Sequence, residues 1–216
     1  MLFFYIVCAN ASTSVSARIG NNGYRELTKA NLQEAVNNQF GNGKVIVEDE
    51  MAPISMYYWF AEIENATYYD VTKLSPERAY NMEDLFFESS TNAPGNVVVV
   101  GIENWDTSNV AYMKRAFESF GGTRYDTGER EVSLNLSGWD TSGAYDMDYI
   151  FNAPNITELT LGSKFIFADN YDIDAYFFDH YYYNNKIWYN KTTLEEYASP
   201  AFFPYGTTAT YGLKNG

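Results

Sequence analysis

Two rhythms of apolar and polar positions alternate along this chain. Val97-Val98-Val99-Val100-Gly101-Ile102 is a short β-branched run, and Val132-Ser133-Leu134-Asn135-Leu136 alternates apolar with polar; both patterns predict strands. Downstream of each, Val110, Met113 and Phe117, then Ala144, Met147 and Phe151, stand at i, i+3 and i+7, which predicts a short helix with one face turned to a core. Trp-Asp-Thr-Ser separates the two elements at 105–108 and again at 139–142. There Asp106 and Asp140 can accept a backbone N–H two residues on, while Ser108 and Ser142 can cap the helix that begins immediately afterwards.

The recurrence is an internal repeat. Gly101 to Met113 returns, in near copy, as Leu134 to Met147, and a Met followed four residues later by Phe marks four units: Met56/Phe60, Met82/Phe86, Met113/Phe117 and Met147/Phe151. The anchors are 26, 31 and 34 residues apart, so length changes fall in loops between fixed contacts. Units of this kind bury their apolar faces against one another, and aligned Trp105 and Trp139 are expected to form an internal packing ladder. The expected fold class is α/β, a leucine-rich-repeat-like solenoid of short parallel strands and short helices.

These motifs resemble the BspA-like surface-protein repeats, whose units read roughly Leu-x-Leu-Ser-Asn-Trp-Asp-Thr-Ser-Asn-Val-x-x-Met-x-x-Met-Phe. Segments 98–117 and 132–151 match best; Met82 to Phe86, with Tyr69-Asp70-Val71-Thr72 before it, matches less, and the unit at Met56 lacks Trp-Asp-Thr-Ser. Ala116 and Ile150 stand where that family has a second Met, and Gly121 to Glu131 is inserted between units. The resemblance implies an amphipathic capping helix over Leu27 to Val36, with Leu32, Ala35 and Val36 on one face, and an aromatic C-terminal cap. The expected division is a signal peptide over 1–11, a capping segment over 12–43, repeats over 44–161 and the closing cap over 162–216.

Composition narrows the class. With 46% hydrophobic and 18% aromatic residues, 216 residues can supply a core. A balance of 14 Lys and Arg against 28 Asp and Glu, a formal net charge of −14, excludes the basic stripe that nucleic-acid binding needs. Leu2 to Cys8 is a short apolar run before Ala9-Asn10-Ala11, a small-x-small pattern that predicts secretory cleavage and removal of the sole Cys. No apolar run has the length of a transmembrane span. Asn10, Asn65, Asn135, Asn155 and Asn190 each begin Asn-x-Ser/Thr, as expected by chance in so Asn-, Ser- and Thr-rich a chain.

Catalytic patterns are poor. His180 is the sole His, no Gly-x-Ser-x-Gly occurs, and Gly41-Asn42-Gly43-Lys44-Val45 lacks phosphate-loop spacing. Glu48-Asp49-Glu50 and Glu129-Arg130-Glu131 could in principle supply carboxylates for glycoside hydrolysis, and Asp169, Asp172 and Asp174 oxygen ligands for calcium, but acidic clusters in an acidic chain are usually solvated charge. No metal and no cofactor is expected. The candidates for contact with a partner are Tyr181, Tyr182, Tyr183, Trp188 and Tyr189, because Tyr and Trp offer rigid area with a polar tip. A hydrophobic closing cap is the competing role for the same residues. The resulting expectation is a non-catalytic, secreted or cell-surface protein that adheres to an extracellular protein or glycan. The alternatives are a glycan-binding or glycan-processing module, with or without calcium, and a self-associating structural component.

Overall fold

The computed structural model describes residues 4–10, 13–19, 43–47, 50–122, 130–153, 155–167, 186–198 and 200–215. Ten strands form one mixed sheet: β1 (Phe4–Asn10), β2 (Thr13–Ile19), β3 (Gly43–Val47), β4 (Ala66–Asp70), β5 (Val97–Val100), β6 (Val132–Leu136), β7 (Ile156–Leu161), β8 (Lys186–Asn190), β9 (Glu196–Tyr197) and β10 (Ala209–Asn215). Their order is β2-β1-β3-β4-β5-β6-β7-β10-β8-β9. The centre, β3 through β7, is parallel; one strand precedes each of the four Met/Phe units and β7 follows the last. Antiparallel strands close both sides: β1 and β2 beyond β3, and β10, β8 and β9 beyond β7. Phe4–Asn10, where a cleavable leader is expected, is thus a strand paired on both edges.

The strand at 132–136 lies where its pattern places it, and the one expected over 97–102 ends at Val100, where left-handed Gly101 leads into a 3-10 turn at Ile102–Asn104. β6 alternates buried and exposed residues, Val132, Leu134 and Leu136 facing the core and Ser133 and Asn135 facing solvent. β5 instead exposes Val98, although its sequence is uninterrupted valine. The sheet packs through this face on a second layer built from the segments carrying the Met and Phe anchors.

That second layer is not helical, and the expected α/β solenoid of strands and helices is overturned. Among the described residues there is no α-helix; the helical content is two 3-10 turns, Ile102–Asn104 and Pro200–Phe202. The capping helix placed at Leu27 to Val36 falls outside the described residues. The segments expected to be helices are runs of consecutive turns, with i to i−3 bonds such as Ala116 N to Met113 O (3.1 Å) and Phe120 N to Phe117 O (3.1 Å). Between these, every second N–H points out of its own unit and donates to the next. Met56, Tyr58, Phe60 and Glu62 donate to the carbonyls of Asn81, Glu83, Leu85 and Phe87. Met82, Asp84, Phe86 and Glu88 donate to Tyr112, Lys114, Ala116 and Glu118, and Met113, Arg115, Phe117 and Ser119 to Asp146, Asp148, Ile150 and Asn152.

The physical reason for the difference lies in the backbone angles. A left-handed residue recurs every fourth position: Tyr58 (φ 65°) and Glu62 (56°), Asp84 (55°) and Glu88 (52°), Arg115 (55°) and Ser119 (56°), with Tyr149 (58°) in the last unit. Such a residue breaks the i to i−4 ladder and frees N–H groups for a neighbour. For side chains with a Cβ each costs about 1–3 kcal/mol, which the inter-unit bonds, worth about 1 kcal/mol apiece, offset. A four-residue repeat of this kind brings positions i and i+4 to the same side just as a helix does.

Burial therefore follows the expected pattern although the helix does not form. Met56, Phe60, Met82, Phe86, Met113, Phe117, Met147 and Phe151 are all buried. The phenylalanines stack from unit to unit, with ring centroids 5.0 Å apart for Phe60 and Phe86, 5.5 Å for Phe86 and Phe117, and 5.8 Å for Phe117 and Phe151. Phe165 continues the column at 6.0 Å. Glycine allows the units to approach. A Cβ on Gly138 would lie 2.2 Å from Glu103 O, and one on Gly162 would lie 2.0 Å from Ser137 O.

Candidate functional site

The corners after β4, β5 and β6 are built by short side chains. Asp70, Asp106 and Asp140 each accept through Oδ1 the N–H two residues on, from Thr72, Ser108 and Ser142, all at 3.1 Å. Ser142 also donates its hydroxyl to Asp140 (2.6 Å) and Thr72 its own to Asp70 (2.7 Å). Hydroxyl bonds from Ser108 and Ser142 hold the Asp106 and Asp140 carboxyls below the usual carboxylate range. The serines close these turns and cap no helix.

Thr107 and Thr141, between those residues, carry a linkage that the sequence reading left unassigned. Thr107 is buried, and its hydroxyl donates to Asp140 O and accepts from Asp140 N, both at 2.9 Å. Thr141 does the same one unit on, donating to Ile166 O (2.6 Å) and accepting from Ile166 N (2.7 Å). Each threonine thus replaces a pair of backbone bonds between units. The recurrence of Thr inside Trp-Asp-Thr-Ser was the available signal.

Trp105 and Trp139 stack at 6.2 Å with 13° between planes, the expected internal ladder. Each indole also points back one unit, Trp105 Nε1 donating to Val71 O (3.4 Å) and Trp139 Nε1 to Ile102 O (3.1 Å). The tryptophans and the Met/Phe anchors are consequently core, and none of them is offered to a partner.

What the stack does offer is a stripe of exposed aromatic and aliphatic side chains where the turn ladder begins. Tyr145 is 59% exposed, Tyr80 54%, Tyr57 48%, Ile54 42% and Tyr112 39%. Backbone bonds align Ile54, Tyr80, Ala111 and Tyr145 across four units, with Tyr112 one position on: Tyr80 N to Ile54 O (3.1 Å), Ala111 N to Tyr80 O (2.9 Å) and Tyr145 N to Ala111 O (2.7 Å). Isolated bridges pair Asn81 with Tyr112 and Tyr112 with Asp146. Tyr112 meets Tyr145 edge to face, centroids 6.2 Å apart and planes at 70°. Sequence reasoning weighed the tail's tyrosines and missed these, because Tyr80 and Tyr145 share a position that Ala111 holds between them, Tyr112 stands one place on, and only stacking brings the three together.

Polar groups flank the stripe on the ladder side. Asn81 donates to Glu83 (2.9 Å) and accepts from its N–H (2.7 Å); Asp146 accepts from Asp148 N (3.0 Å), and Lys114 pairs with Asp148 at 3.5 Å. Farther in, Asp84 is buried against Arg115, whose Nε and Nη2 lie 2.7 and 2.9 Å from its carboxylate oxygens. Burial pushes the Asp84 carboxyl up, and Glu118 likewise. Arg115 lies over the Phe87 ring, 5.2 Å from its centroid.

Of the residues proposed for partner contact, Tyr181, Tyr182 and Tyr183 fall outside the described residues, as do His180, Asp169, Asp172 and Asp174. Trp188 is buried in the closing unit, edge-on to Phe203 (5.9 Å), where Phe203 also stacks on Tyr211 (3.5 Å). Tyr189 is half-buried beneath Lys214, whose Nζ lies 5.3 Å from the ring centroid. Asn190 is mostly buried and its Oδ1 accepts from the N–H groups of Thr192 and Thr193. Among the described residues no group of three His, Cys, Asp or Glu side chains is placed to hold a metal, and no helix is long and apolar enough to cross a membrane.

One family model matches the chain, over residues 54–190; its description is "Mycoplasma protein of unknown function, DUF285". The matched span contains all four Met/Phe units and the whole tyrosine stripe from Ile54 onward. No curated protein and no solved structure matches the chain.

Proposed function

We propose that the chain, which belongs to the DUF285 family, is a non-catalytic recognition protein of the cell surface or the secreted fraction, and that it binds through the tyrosine stripe. The observation that carries this reading is the contrast within each unit. Trp105, Trp139 and the anchor phenylalanines are consumed by the core, yet Tyr80, Tyr112 and Tyr145 in three successive units stand 39–59% exposed on one side. Exposed tyrosines scattered singly would need no explanation; these are adjacent, Tyr112 donating its N–H to Tyr80 O and meeting the Tyr145 ring, and such a cluster is of the kind that anchors interfaces. The resemblance of 98–117 and 132–151 to BspA-like surface repeats supports placement at a surface and a role in adhesion.

The test is an array of extracellular-matrix proteins and glycans probed with the full chain, with and without calcium. A Tyr80→Ser/Tyr112→Ser/Tyr145→Ser variant, shown to be folded by circular dichroism, is run beside it. Binding that disappears in the variant supports the reading. Binding that the variant retains moves the contact surface elsewhere, and no binding by either protein overturns recognition by this stripe. N-terminal sequencing of the exported protein gives a separate check on placement, since cleavage after Ala11 would remove β1 entirely.

A further inference from the structure

We infer that the stripe takes a basic segment of a protein partner, one presenting Arg or Lys side chains; this rests on the recognition reading above. Charge is the first ground. The chain carries 28 acidic against 14 basic residues. Along the stripe, Glu83, Asp146 and Asp148 stand against Lys114, which is already paired with Asp148. Net of that pair, Glu83 and Asp146, which accept from an amide and a backbone N–H, leave carboxylate beside the tyrosines for an arriving cation.

Ring geometry is the second ground. Tyr112 and Tyr145 stand at 70° to each other, so these two rings face different directions and form no flat platform for a sugar ring to lie along. Differently tilted faces suit side-chain cations, which need only one ring each within about 6 Å. The protein already seats its own cations this way: Lys44 lies 5.1 Å from the Tyr68 centroid, Arg115 5.2 Å from Phe87, and Lys214 5.3 Å from Tyr189. Among the described residues, no hydrogen bond engages the Tyr80, Tyr112 or Tyr145 hydroxyls, leaving three donor–acceptor tips for a peptide backbone.

Fluorescence anisotropy with a fluorescein-labelled peptide of alternating Arg and Gly tests this, with an alternating Glu and Gly peptide as the opposite-charge control. The Tyr80→Ser/Tyr112→Ser/Tyr145→Ser variant keeps net charge, and Tyr68→Ser removes an aromatic from the sheet face instead. The expected result is binding of the Arg peptide alone, weakened about tenfold in the triple variant and unchanged in Tyr68→Ser. Glu83→Gln/Asp146→Asn/Asp148→Asn should weaken it several-fold and flatten its salt dependence. If the triple variant binds the Arg peptide as tightly as the parent protein does, the attraction is to overall charge and the inference is overturned. Tyrosine-dependent capture on the array without Arg-peptide binding overturns the basic partner but keeps the recognition reading. Absence of any tyrosine-dependent binding overturns both.

Discussion

Replacing Thr107 by Val removes a hydroxyl while keeping the shape of a buried side chain, and its cost isolates what that hydroxyl does between units. The Thr107 Oγ1 both donates to Asp140 O and accepts from Asp140 N at 2.9 Å, so the change orphans a donor and an acceptor on one residue. Each bond contributes about 1 kcal/mol, and a buried backbone group left unpaired costs about 1–3 kcal/mol. Because this junction is only part-buried, water recovers some of that, and Thr107→Val should destabilise by about 2–4 kcal/mol. Thr107→Ser keeps both bonds and loses one methyl, about 1 kcal/mol. For a domain of this size, thermal midpoints should fall by about 5–12 °C for Val and about 2–4 °C for Ser. Urea unfolding of the three proteins measures the difference, and exchange of the Asp140 amide proton should accelerate in Val but not in Ser. A Ser variant as unstable as Val, or a Val variant within error of the parent, would refute the threonine clamp.

Other expectations follow from the same geometry. Gly138→Ala and Gly162→Ala should each destabilise by about 2 kcal/mol or more, since the added Cβ would meet Glu103 O or Ser137 O at 2.2 or 2.0 Å; thermal denaturation checks both. Ser119→Gly, at φ 56°, should raise the thermal midpoint by relieving about 1 kcal/mol of left-handed strain, and a lower midpoint would count against strain at that position. Asp140 is held low by bonds from Ser142 and Lys164, so the unfolded chain binds its proton more readily than the folded one does. Its contribution is therefore present above the ordinary carboxylate value and lost as pH falls through the lowered one, so urea midpoints of Asp140→Asn should fall less steeply on acidification than those of the parent. Asp84, pushed up by burial, has the opposite sign: its ionisation lowers stability as pH rises through the raised value, and Asp84→Asn should remove that slope.

Much of the packing was legible in the residues. Valine runs and strict alternation marked the strands at 97–100 and 132–136, and the i, i+4 recurrence of Met and Phe marked the buried column. The secondary structure of that column was not legible, because a turn run with a left-handed residue every fourth position repeats with nearly the period of a helix. Glycine or asparagine would normally betray such positions, but Tyr58, Glu62, Asp84, Glu88 and Arg115 occupy them. Bonds between units hold these residues in place, and those bonds join segments about thirty positions apart, beyond any local pattern. The recognition stripe was hidden for a related reason: Tyr80, Tyr112 and Tyr145 become neighbours only after the units are stacked.

The alternate rungs of the turn runs point one way, while bonds at the ends of those runs, from Tyr80, Ser90, Ala111, Gly121 and Tyr145, point back to the preceding unit. In those rungs, from Met56 through Ser119, the N–H groups face the following unit and the carbonyls that accept from them face the preceding one. In an α-helix the same alignment along one continuous segment sums to a macrodipole. Here it is assembled from four separate segments and runs across them, its negative pole beside the Met56 unit and its positive pole beside the Met147 unit. The parallel strands opposite add little, since strand dipoles largely alternate. The rungs therefore carry an electrical polarity as well as a sequence order, and the back-pointing bonds at their ends reduce it.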